Sequence, residues 1–315
     1  MVEGMLLTVD GPLISVADFA PHRALFEGVF GLADRGGGTL DEWTVARLWG
    51  IAGYRAETRL LETPGTAAGV LLVRFEPMSP IAIREGTGPT DSGALKVIDF
   101  ATPDFAAASE ALARAGFPFS ARPAEYAVPG GGRFTEGHLK GPDGIICAVL
   151  AFQDDPLERF VRVVDRRFSE IVGVSAPVED LAAVRRFYDA LGVAVVYEYA
   201  IEDASFGAMI GKAEPSVVRG INYGLSERDV MIGIIHYGLP AGAAASLAAR
   251  AVLPNRGLAA IRCSVQSVEA AAVACAAGGG EVLAPPAEVE APPWGRVRSL
   301  TVRGPHGIVH HFVER

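Results

Sequence analysis

The sequence lacks the features that mark several large protein classes. It has only three cysteines, Cys147, Cys263 and Cys275, and their spacing matches neither a disulfide framework nor a thiolate metal site. This sparse, odd set is typical of small buried side chains in a reducing cytoplasm, which is the expected location. No run of about 18 apolar residues is free of charge, so we expect no membrane-spanning helix. The formal net charge of −9 argues against nucleic acid as a partner.

Nucleotide and hydrolase signatures are also missing. The triplet GGG occurs three times, but the Lys-Ser/Thr pair of a phosphate-binding loop never follows it. No Gly-x-Ser-x-Gly elbow is present. The chain has 315 residues, of which half are hydrophobic and 21% are charged, and this composition predicts well-packed globular domains.

An internal repeat is the most informative feature. The stretch ARPAEYAVPGGGRFTEGHLKGPDGII, which starts at Ala121, aligns without a gap to APPAEVEAPPWGRVRSLTVRGPHGIV, which starts at Ala284. A fainter pair joins ISVADFAPHRALFEGVFGL, from Ile14, to VSAPVEDLAAVRRFYDALGV, from Val174. The chain therefore contains two kinds of module, and each kind occurs twice.

All four modules share one local pattern, a strand, a helix and then further β-like stretches between Gly/Pro turns. Each helix is preceded by a residue whose side-chain oxygen can cap free N–H groups, namely Asp18, Asp104, Asp180 or Ser267. Each helix ends at a glycine, namely Gly31, Gly116, Gly192 or Gly278/Gly279. The order βαβββ is therefore predicted four times, in modules at about 11–76, 94–152, 169–238 and 257–314.

This order, the helix ends LFEGVFGL and FYDALGV, and the GPDG turn before a last strand resemble the vicinal oxygen chelate superfamily. That group contains glyoxalases, bleomycin resistance proteins and extradiol dioxygenases. The resemblance covers nearly the whole chain. It implies an α+β fold in which four βαβββ modules form two glyoxalase-like domains with concave mixed sheets. We expect an N-terminal domain at 1–152, a charged connection at 153–167 and a C-terminal domain at 168–315.

The resemblance also implies where a metal would lie. Catalytic members hold Fe, Mn, Ni or Zn in the cup of a sheet, through His, Glu or Gln from the first and last strands of paired modules. The matching first-strand positions here are Gly11, Val97, Gly173 and Ala260. The matching last-strand positions are Leu71, Ala148, Gly233 and His311. Only His311 of these can bind a metal, so we expect no cofactor.

Two further residues come close to these positions. A shift of two residues keeps the face of a strand, so Asp99 is expected to point into the same cup as Val97. His236 lies on the opposite face from Gly233 and joins His311 at a metal only after a local distortion of its strand.

Two function classes follow. The first is a glyoxalase- or bleomycin-resistance-like protein that binds a small, largely apolar organic molecule in a cup whose metal site has degenerated. The alternative is an enzyme, a metal-dependent extradiol dioxygenase, lyase or isomerase with a rearranged site at His236 and His311. Candidate ligand contacts are Asp99, Arg219, Tyr223, Trp294 and Arg296, and His311 is the candidate acid or base.

Each candidate also has a plain structural interpretation. Because strand side chains alternate, one of His310 and His311 should face the cup and the other the helices or solvent. Trp294 fits an aromatic side chain that packs on its own strand. His138 is assigned to a strand end and is not selected as a site residue. A homodimer is compatible with this reading, and the expected partner is a small molecule.

Overall fold

A computed structural model describes residues 5–128, 132–212 and 216–315. Four modules follow one another, and all contain the predicted βαβββ order. Module 1 contains β1 (Leu6–Ser15), α1 (Phe19–Phe26), β2 (Ala33–Leu40), α2 (Glu42–Trp49), β3 (Arg55–Glu62) and β4 (Gly69–Glu76). Module 2 contains β5 (Val97–Ala101), α3 (Phe105–Arg114), β6 (Ala124–Val128), β7 (Gly132–Lys140) and β8 (Ile146–Phe152).

The second half of the chain repeats this order. Module 3 contains β9 (Ile171–Pro177), α4 (Leu181–Ala190), β10 (Ala194–Ile201), α5 (Ala204–Met209), β11 (Val218–Gly224) and β12 (Met231–His236). Module 4 contains β13 (Gly257–Val265), α6 (Val268–Ala277), β14 (Glu281–Ala291), β15 (Gly295–Arg303) and β16 (Val309–Glu314). Modules 1 and 3 carry an additional helix, α2 and α5, which the module pattern did not predict. None of the helices in the described ranges is both long and apolar enough to cross a membrane.

The predicted helix starts are confirmed, as are the ends of α3, α4 and α6, whereas α1 ends at Phe26, five residues before Gly31. The side chains of Asp18, Asp104, Asp180 and Ser267 each accept a hydrogen bond from a backbone N–H in the first turn of the following helix. The glycines Gly31, Gly116, Gly192 and Gly279 have φ between 68° and 86°, a left-handed conformation that favours glycine.

The strands form two eight-stranded mixed sheets. The first sheet has the order β14-β15-β16-β13-β1-β4-β3-β2, and the second has the order β10-β11-β12-β9-β5-β8-β7-β6. At the centre of each sheet two modules meet through antiparallel strands, β13 with β1 and β5 with β9. The α+β, glyoxalase-like fold with two curled sheets is thus confirmed.

The pairing of modules differs from the expectation. Module 1 shares a sheet with module 4, and module 2 shares a sheet with module 3. Neither sheet therefore corresponds to residues 1–152 or 168–315, and the charged connection at 153–167 joins β8 to β9 within the second sheet. The repeat in the sequence shows which modules are alike. It does not show which first strands pair with each other, because the first strands of all four modules can form the same antiparallel pairing.

Two long connections carry the chain between the sheets. Residues 77–96 and 237–256 run beside each other, with bridges between Ala82 and Arg256 and between Ser92 and Ser246. The buried Ser79 hydroxyl donates to Asn255 Oδ1 at 2.7 Å. The two crossings therefore stabilise one another, which allows the first and last modules to meet.

The convex faces of the two sheets share one apolar core. Helix α1 of module 1 contributes Phe26, and its following turn contributes Phe30, whose ring stacks on Phe100 of the second sheet at 3.9 Å. Helix α4 of module 3 contributes Phe187 and Tyr188, which contact His310 of the first sheet. Helices α1, α3, α4 and α6 thus contribute to the core between the sheets, and both concave faces are directed away from it.

Helix α2 fills the concave face of the first sheet. Its buried side chains Val45, Leu48 and Trp49 pack in one cluster with Leu13, Leu71 and other residues of the concave strands. Asp41 caps the start of this helix, and Gly50, with φ of 73°, ends it. At the second sheet, helix α5 packs its buried Phe206 and Met209 against Tyr126 and Tyr237 of the concave face, but a cavity remains there, so the two cups differ.

Candidate functional site

His311 lies in the filled cup of the first sheet. Its ring is 2% exposed and lies 6.2 Å from the ring of Trp49. The Thr301 hydroxyl donates to the Leu48 carbonyl at 2.6 Å, and it lies 2.9 Å from His311 Nδ1. Because that hydroxyl has a single proton, His311 Nδ1 is the donor to Thr301. Burial lowers the pKa of His311 to about 3, so the ring is neutral and packed.

His310 faces the other way, as strand alternation predicts. Its Nε2 lies 2.9 Å from the Tyr188 hydroxyl in the core between the sheets, and burial lowers its pKa to about 4. The predicted split of the double histidine into one cup-facing and one helix-facing residue is confirmed.

A buried arginine stands beside His311 on the next strand. Arg262 is 3% exposed, and its guanidinium donates to the carbonyls of Asp10, Pro12 and Gly69 at 2.9 to 3.3 Å. In register it lies opposite Gly11, whose φ is 109°. The centre of the first sheet, where the sequence resemblance implies a metal position, therefore contains a guanidinium already bound to protein.

The structure does not bring His236 and His311 together. His236 is the last residue of β12 in the second sheet, whereas His311 lies in β16 of the first. His236 Nδ1 accepts from the Gly238 N–H, and its side chain lies on the face opposite Gly233, as alternation predicts. The hypothesis of a rearranged metal site that uses both histidines is therefore wrong, because each sheet contains only one of them.

Four other candidates lie outside the open cup of the second sheet. Arg219 is exposed on the convex side near α4, and Tyr223 stacks on Tyr188 at 4.4 Å in the core. Arg296 is 75% exposed and pairs with Glu288, and Trp294 packs against the filled cup of the first sheet. The expectation that Arg219 and Tyr223 contact a ligand does not hold for the open cup. Asn222, which lies between them on β11, is the residue that faces this cup.

The open cup is the concave face of modules 2 and 3 and encloses a cavity of about 220 Å³. Eight aromatic side chains line it, and we refer to it as the aromatic cup. Four are the tyrosines Tyr126, Tyr197, Tyr199 and Tyr237. Four are the phenylalanines Phe134, Phe152, Phe160 and Phe206. An apolar, concave and largely preformed space of this kind is where small molecules bind.

Asp99 lies at the floor of this cup, on the face that the two-residue shift requires. In register it lies between Gly173 on β9 and Ala148 on β8, two of the positions that the sequence resemblance assigns to metal ligands. Within the described residues its carboxyl has no hydrogen-bond or ion-pair partner. Burial, and then the nearby Glu136, raise the pKa of Asp99 well above its usual range.

Glu136 and His138 lie on β7 along the same wall. Glu136 Oε1 lies 2.7 Å from His138 Nε2, and Oε2 accepts from the Tyr126 hydroxyl. In register His138 is opposite Ala148, which is opposite Asp99, so the two side chains face each other over a methyl group. Their Cα atoms are about 10 Å apart, the width of two strand spacings.

This wall was missed in the sequence, because His138 was assigned to a strand end. The signal was present in the motif TEGHLK, whose alternation places Glu136 and His138 on one face. In the repeat these positions correspond to Ser299 and Thr301 of module 4, and Thr301 faces His311 in the filled cup. The two copies therefore use equivalent positions for different side chains.

Two polar residues complete the adjacent row of the sheet. Asn222, Gly233, Ser175 and Val97 lie in register across β11, β12, β9 and β5. Asn222 is 8% exposed, and its side-chain amide nitrogen has no hydrogen-bond partner among the described residues. A donor left without a partner in a buried site is a group that a ligand can satisfy.

A lysine lies behind one wall of the cup. Lys96 is 3% exposed and donates to Tyr237 Oη at 2.7 Å and to the Pro89 carbonyl at 2.6 Å. Burial and the neighbouring Arg84 lower the pKa of Lys96 to about 7. The Lys96 nitrogen lies 4.8 Å from the centroid of the Tyr237 ring. This contact helps to fix the position of that ring in the wall of the cup.

The residues at the family positions do not fit a bound metal. In the aromatic cup these positions are Val97, Gly173, Ala148 and Gly233, and in the first sheet only His311 has a ligating side chain. Within the described ranges no group of three or more His, Cys, Asp or Glu side chains could hold a metal ion. We therefore derive no step through a metal.

The protein thus has two mixed sheets, and the concave face of one is filled while that of the other is open. No family model matches the sequence, and no curated protein matches it. Among solved structures, glyoxalase I from Zea mays matches 98% of this chain and 92% of its own, with a TM-score of 0.64 and 15% identity. A putative dioxygenase from Bacillus subtilis matches 98% of this chain and 85% of its own, with a TM-score of 0.60 and 13% identity. The chain thus shares the fold of these two proteins.

Proposed function

We propose that this protein binds a small, largely apolar organic molecule in the aromatic cup without a metal ion. The observation that carries the proposal is the cavity of about 220 Å³ walled by eight aromatic side chains. Aromatic walls supply apolar area at a low entropic cost, and a few polar groups then orient the ligand. Asp99 and the amide nitrogen of Asn222 are polar groups of this floor that have no partner among the described residues.

The alternative is a metal-dependent dioxygenase, lyase or isomerase, which the similar structures also suggest by their names. A metal centre normally requires about three protein ligands, and the positions that would supply them here are mostly Gly, Ala and Val. The geometry therefore favours a binding role over metal-dependent chemistry in both sheets.

A ligand screen, repeated on a variant whose aromatic cup is filled by a larger side chain, tests the proposal. Thermal unfolding of the purified protein is measured with a library of small aromatic compounds, and bound Fe, Mn, Ni and Zn are quantified. Met231 faces the cup beside Gly173, so Met231→Trp should fill the space above Asp99 and abolish stabilisation by any hit. Arg219→Ala, on the convex face, serves as the control and should leave binding unchanged.

Two outcomes count against the proposal. A ligand that stabilises Met231→Trp as well as the natural chain does not bind in the aromatic cup. Stoichiometric metal that survives dialysis would contradict binding without a metal ion and favour the alternative.

A further inference from the structure

The aromatic cup has an uncompensated acidic floor. Asp99 has no hydrogen-bond or ion-pair partner among the described residues, and the nearest carboxyl, Glu136, carries the same sign. A carboxyl group in an apolar site is costly to ionise unless a positive charge lies against it. Asp99 therefore favours its protonated form in the empty cup, and a cation placed against it would favour its ionised form.

The basic groups around the cup are already engaged. His138 pairs with Glu136, and Arg159 at the mouth pairs with Asp155 at 2.9 Å and with Glu227 at 3.5 Å. Lys96 lies behind Tyr237 and donates to its hydroxyl. None of these side chains forms an ion pair with Asp99, so a cation that pairs with Asp99 would come from the ligand.

Space for that cation exists in the cavity that Asp99 lines. The Asp99 carboxyl lies over Gly173, where an added Cβ would come within 2.9 Å of Oδ2. Ala148 on the other side presents only a methyl group. These two small residues leave the carboxyl group accessible from the cavity.

The aromatic walls of the cup also favour the binding of a cation. Aromatic faces attract ammonium groups through the negative potential of the ring, and several such faces around one site form a cage. Tyr126, Tyr197 and Tyr199 line the cup together with four phenylalanines. The buried amide nitrogen of Asn222, which has no partner among the described residues, calls for a hydrogen-bond acceptor on the same ligand.

We infer that the ligand of the aromatic cup is an organic amine whose ammonium group pairs with Asp99 and whose hydrogen-bond acceptor meets Asn222. The inference rests on the proposed function, because it names the class of molecule that the same cup holds. An anionic ligand is disfavoured by the two carboxyl groups of the floor. A neutral ligand leaves Asp99 protonated, whereas an ammonium group gains an ion pair with it.

Binding of an amine should release a proton. In the empty cup the pKa of Asp99 is raised, so the carboxyl stays protonated at pH values where a free aspartate is ionised. An ammonium group favours the ionised form, so Asp99 loses its proton on binding and affinity increases as pH rises through the raised pKa. The other titratable groups around Asp99 are Glu136, His138, Tyr197, Tyr199, Tyr237, Lys96 and Cys147.

Matched pairs of probes test the inference. Isothermal titration calorimetry compares 2-phenylethylamine with 2-phenylethanol and 2-amino-1-phenylethanol with 1-phenyl-1,2-ethanediol, in buffers of different ionisation enthalpy. The amine of each pair should bind about tenfold or more tightly than its alcohol, with proton release. Asp99→Asn should remove that preference while the alcohols still bind, and Asn222→Ala should weaken only the probes that carry a hydroxyl acceptor.

The control is Glu110→Gln, which removes one carboxylate from the exposed face of α3 and should leave the preference unchanged. Equal affinity of amine and alcohol, or a preference that survives in Asp99→Asn, overturns the inference. Failure of both amines to bind while neutral compounds from the library bind and are lost in Met231→Trp overturns the inference alone. Absence of any ligand for the cup overturns the proposed function as well.

Discussion

Asp99 and Gly173 lie directly opposite each other where modules 2 and 3 meet, and the missing side chain of one makes room for the carboxyl group of the other. The first sheet has the same register with Gly11 opposite Arg262, although an added Cβ on Gly11 would meet the Gly69 carbonyl. In the repeat, Asp99 corresponds to Arg262 and Gly173 to Gly11. One copy places a cation that protein carbonyls satisfy. The other places an acid that has no partner among the described residues.

Gly173→Ala should disturb this relationship directly. The new Cβ would approach Asp99 Oδ2 to 2.9 Å, so the carboxyl group must move out of its gap. We expect a cost of about 1–3 kcal/mol in unfolding free energy and a weaker affinity for cup ligands. Urea denaturation and calorimetry measure the two effects.

The matched control is Gly207→Ala in α5, where an added Cβ makes only an ordinary contact at 3.9 Å. That variant should retain its ligand affinity and gain stability, since alanine favours a helix. Unchanged ligand affinity in Gly173→Ala would show that the space beside Asp99 is not used.

Arg262→Met should be strongly destabilising. The guanidinium donates to three backbone carbonyls in a buried site, and its removal leaves them without those donors. We expect a loss of about 3 kcal/mol or more in unfolding free energy. Arg296→Met, at an arginine that is 75% exposed, should change stability by no more than about 0.5 kcal/mol. Equal stability of the two variants would contradict a structural role for Arg262.

The two adjacent histidines should make stability depend on pH. Burial lowers their pKa values to about 4 and about 3, so the unfolded chain takes up protons below its own pKa of about 6.5 while the folded chain does not. The stability that the neutral rings provide is complete above that value and is lost as pH falls towards the folded values. Each should contribute a slope of about 1.4 kcal/mol per pH unit.

Denaturation in the Asp99→Asn background isolates this effect. Asp99 has a raised pKa and therefore acts in the opposite direction, favouring the folded state as pH falls. In that background, His311→Leu should reduce the dependence of unfolding free energy on pH by the contribution of one histidine, about 1.4 kcal/mol per pH unit. A slope that stays the same in His311→Leu would mean that this ring is not held neutral.

Tyr223→Phe distinguishes a core residue from a ligand contact. Tyr223 was selected from the sequence as a candidate for lining a cup, but its ring stacks on Tyr188, and its buried hydroxyl has no partner among the described residues. Removal of an unsatisfied buried hydroxyl should be neutral or stabilise by about 1 kcal/mol, with ligand affinity unchanged. A loss of ligand affinity would return Tyr223 to the binding site.

The sequence predicted local structure better than it predicted the arrangement of modules. Caps at Asp18 and Asp104, glycine helix ends and the opposite faces of His310 and His311 follow from interactions within one segment. The pairing of β1 with β13 does not, because it depends on where the long connections carry the chain. The face of Arg219 and Tyr223 was also ambiguous, since alternation fixes that they share a face but not which one.

The filling of one cup was equally hidden. Helix α2 could be recognised only from Asp41 and Gly50, which fit a helix start and a helix end, and neither residue indicates that the helix lies across a sheet. The polar wall at Glu136 and His138 becomes visible only when β7 is aligned beside β8. The repeat therefore indicated which strand positions to compare with metal-ligand positions. The side chains that line the cup could be identified only in the structure.

Trp49→Ala should reopen the filled cup. The ring is 3% exposed and lies against Phe75 at 5.4 Å and against His311 at 6.2 Å, so its removal leaves an apolar space under the first sheet. We expect a cost of about 3–5 kcal/mol in unfolding free energy and stabilisation by small apolar molecules such as benzene, which enter engineered cavities of this kind. The control on the same helix is Trp43→Ala, whose ring is 57% exposed and should contribute little. If Trp49→Ala were as stable as Trp43→Ala and gained nothing from benzene, helix α2 would not be what closes the first cup.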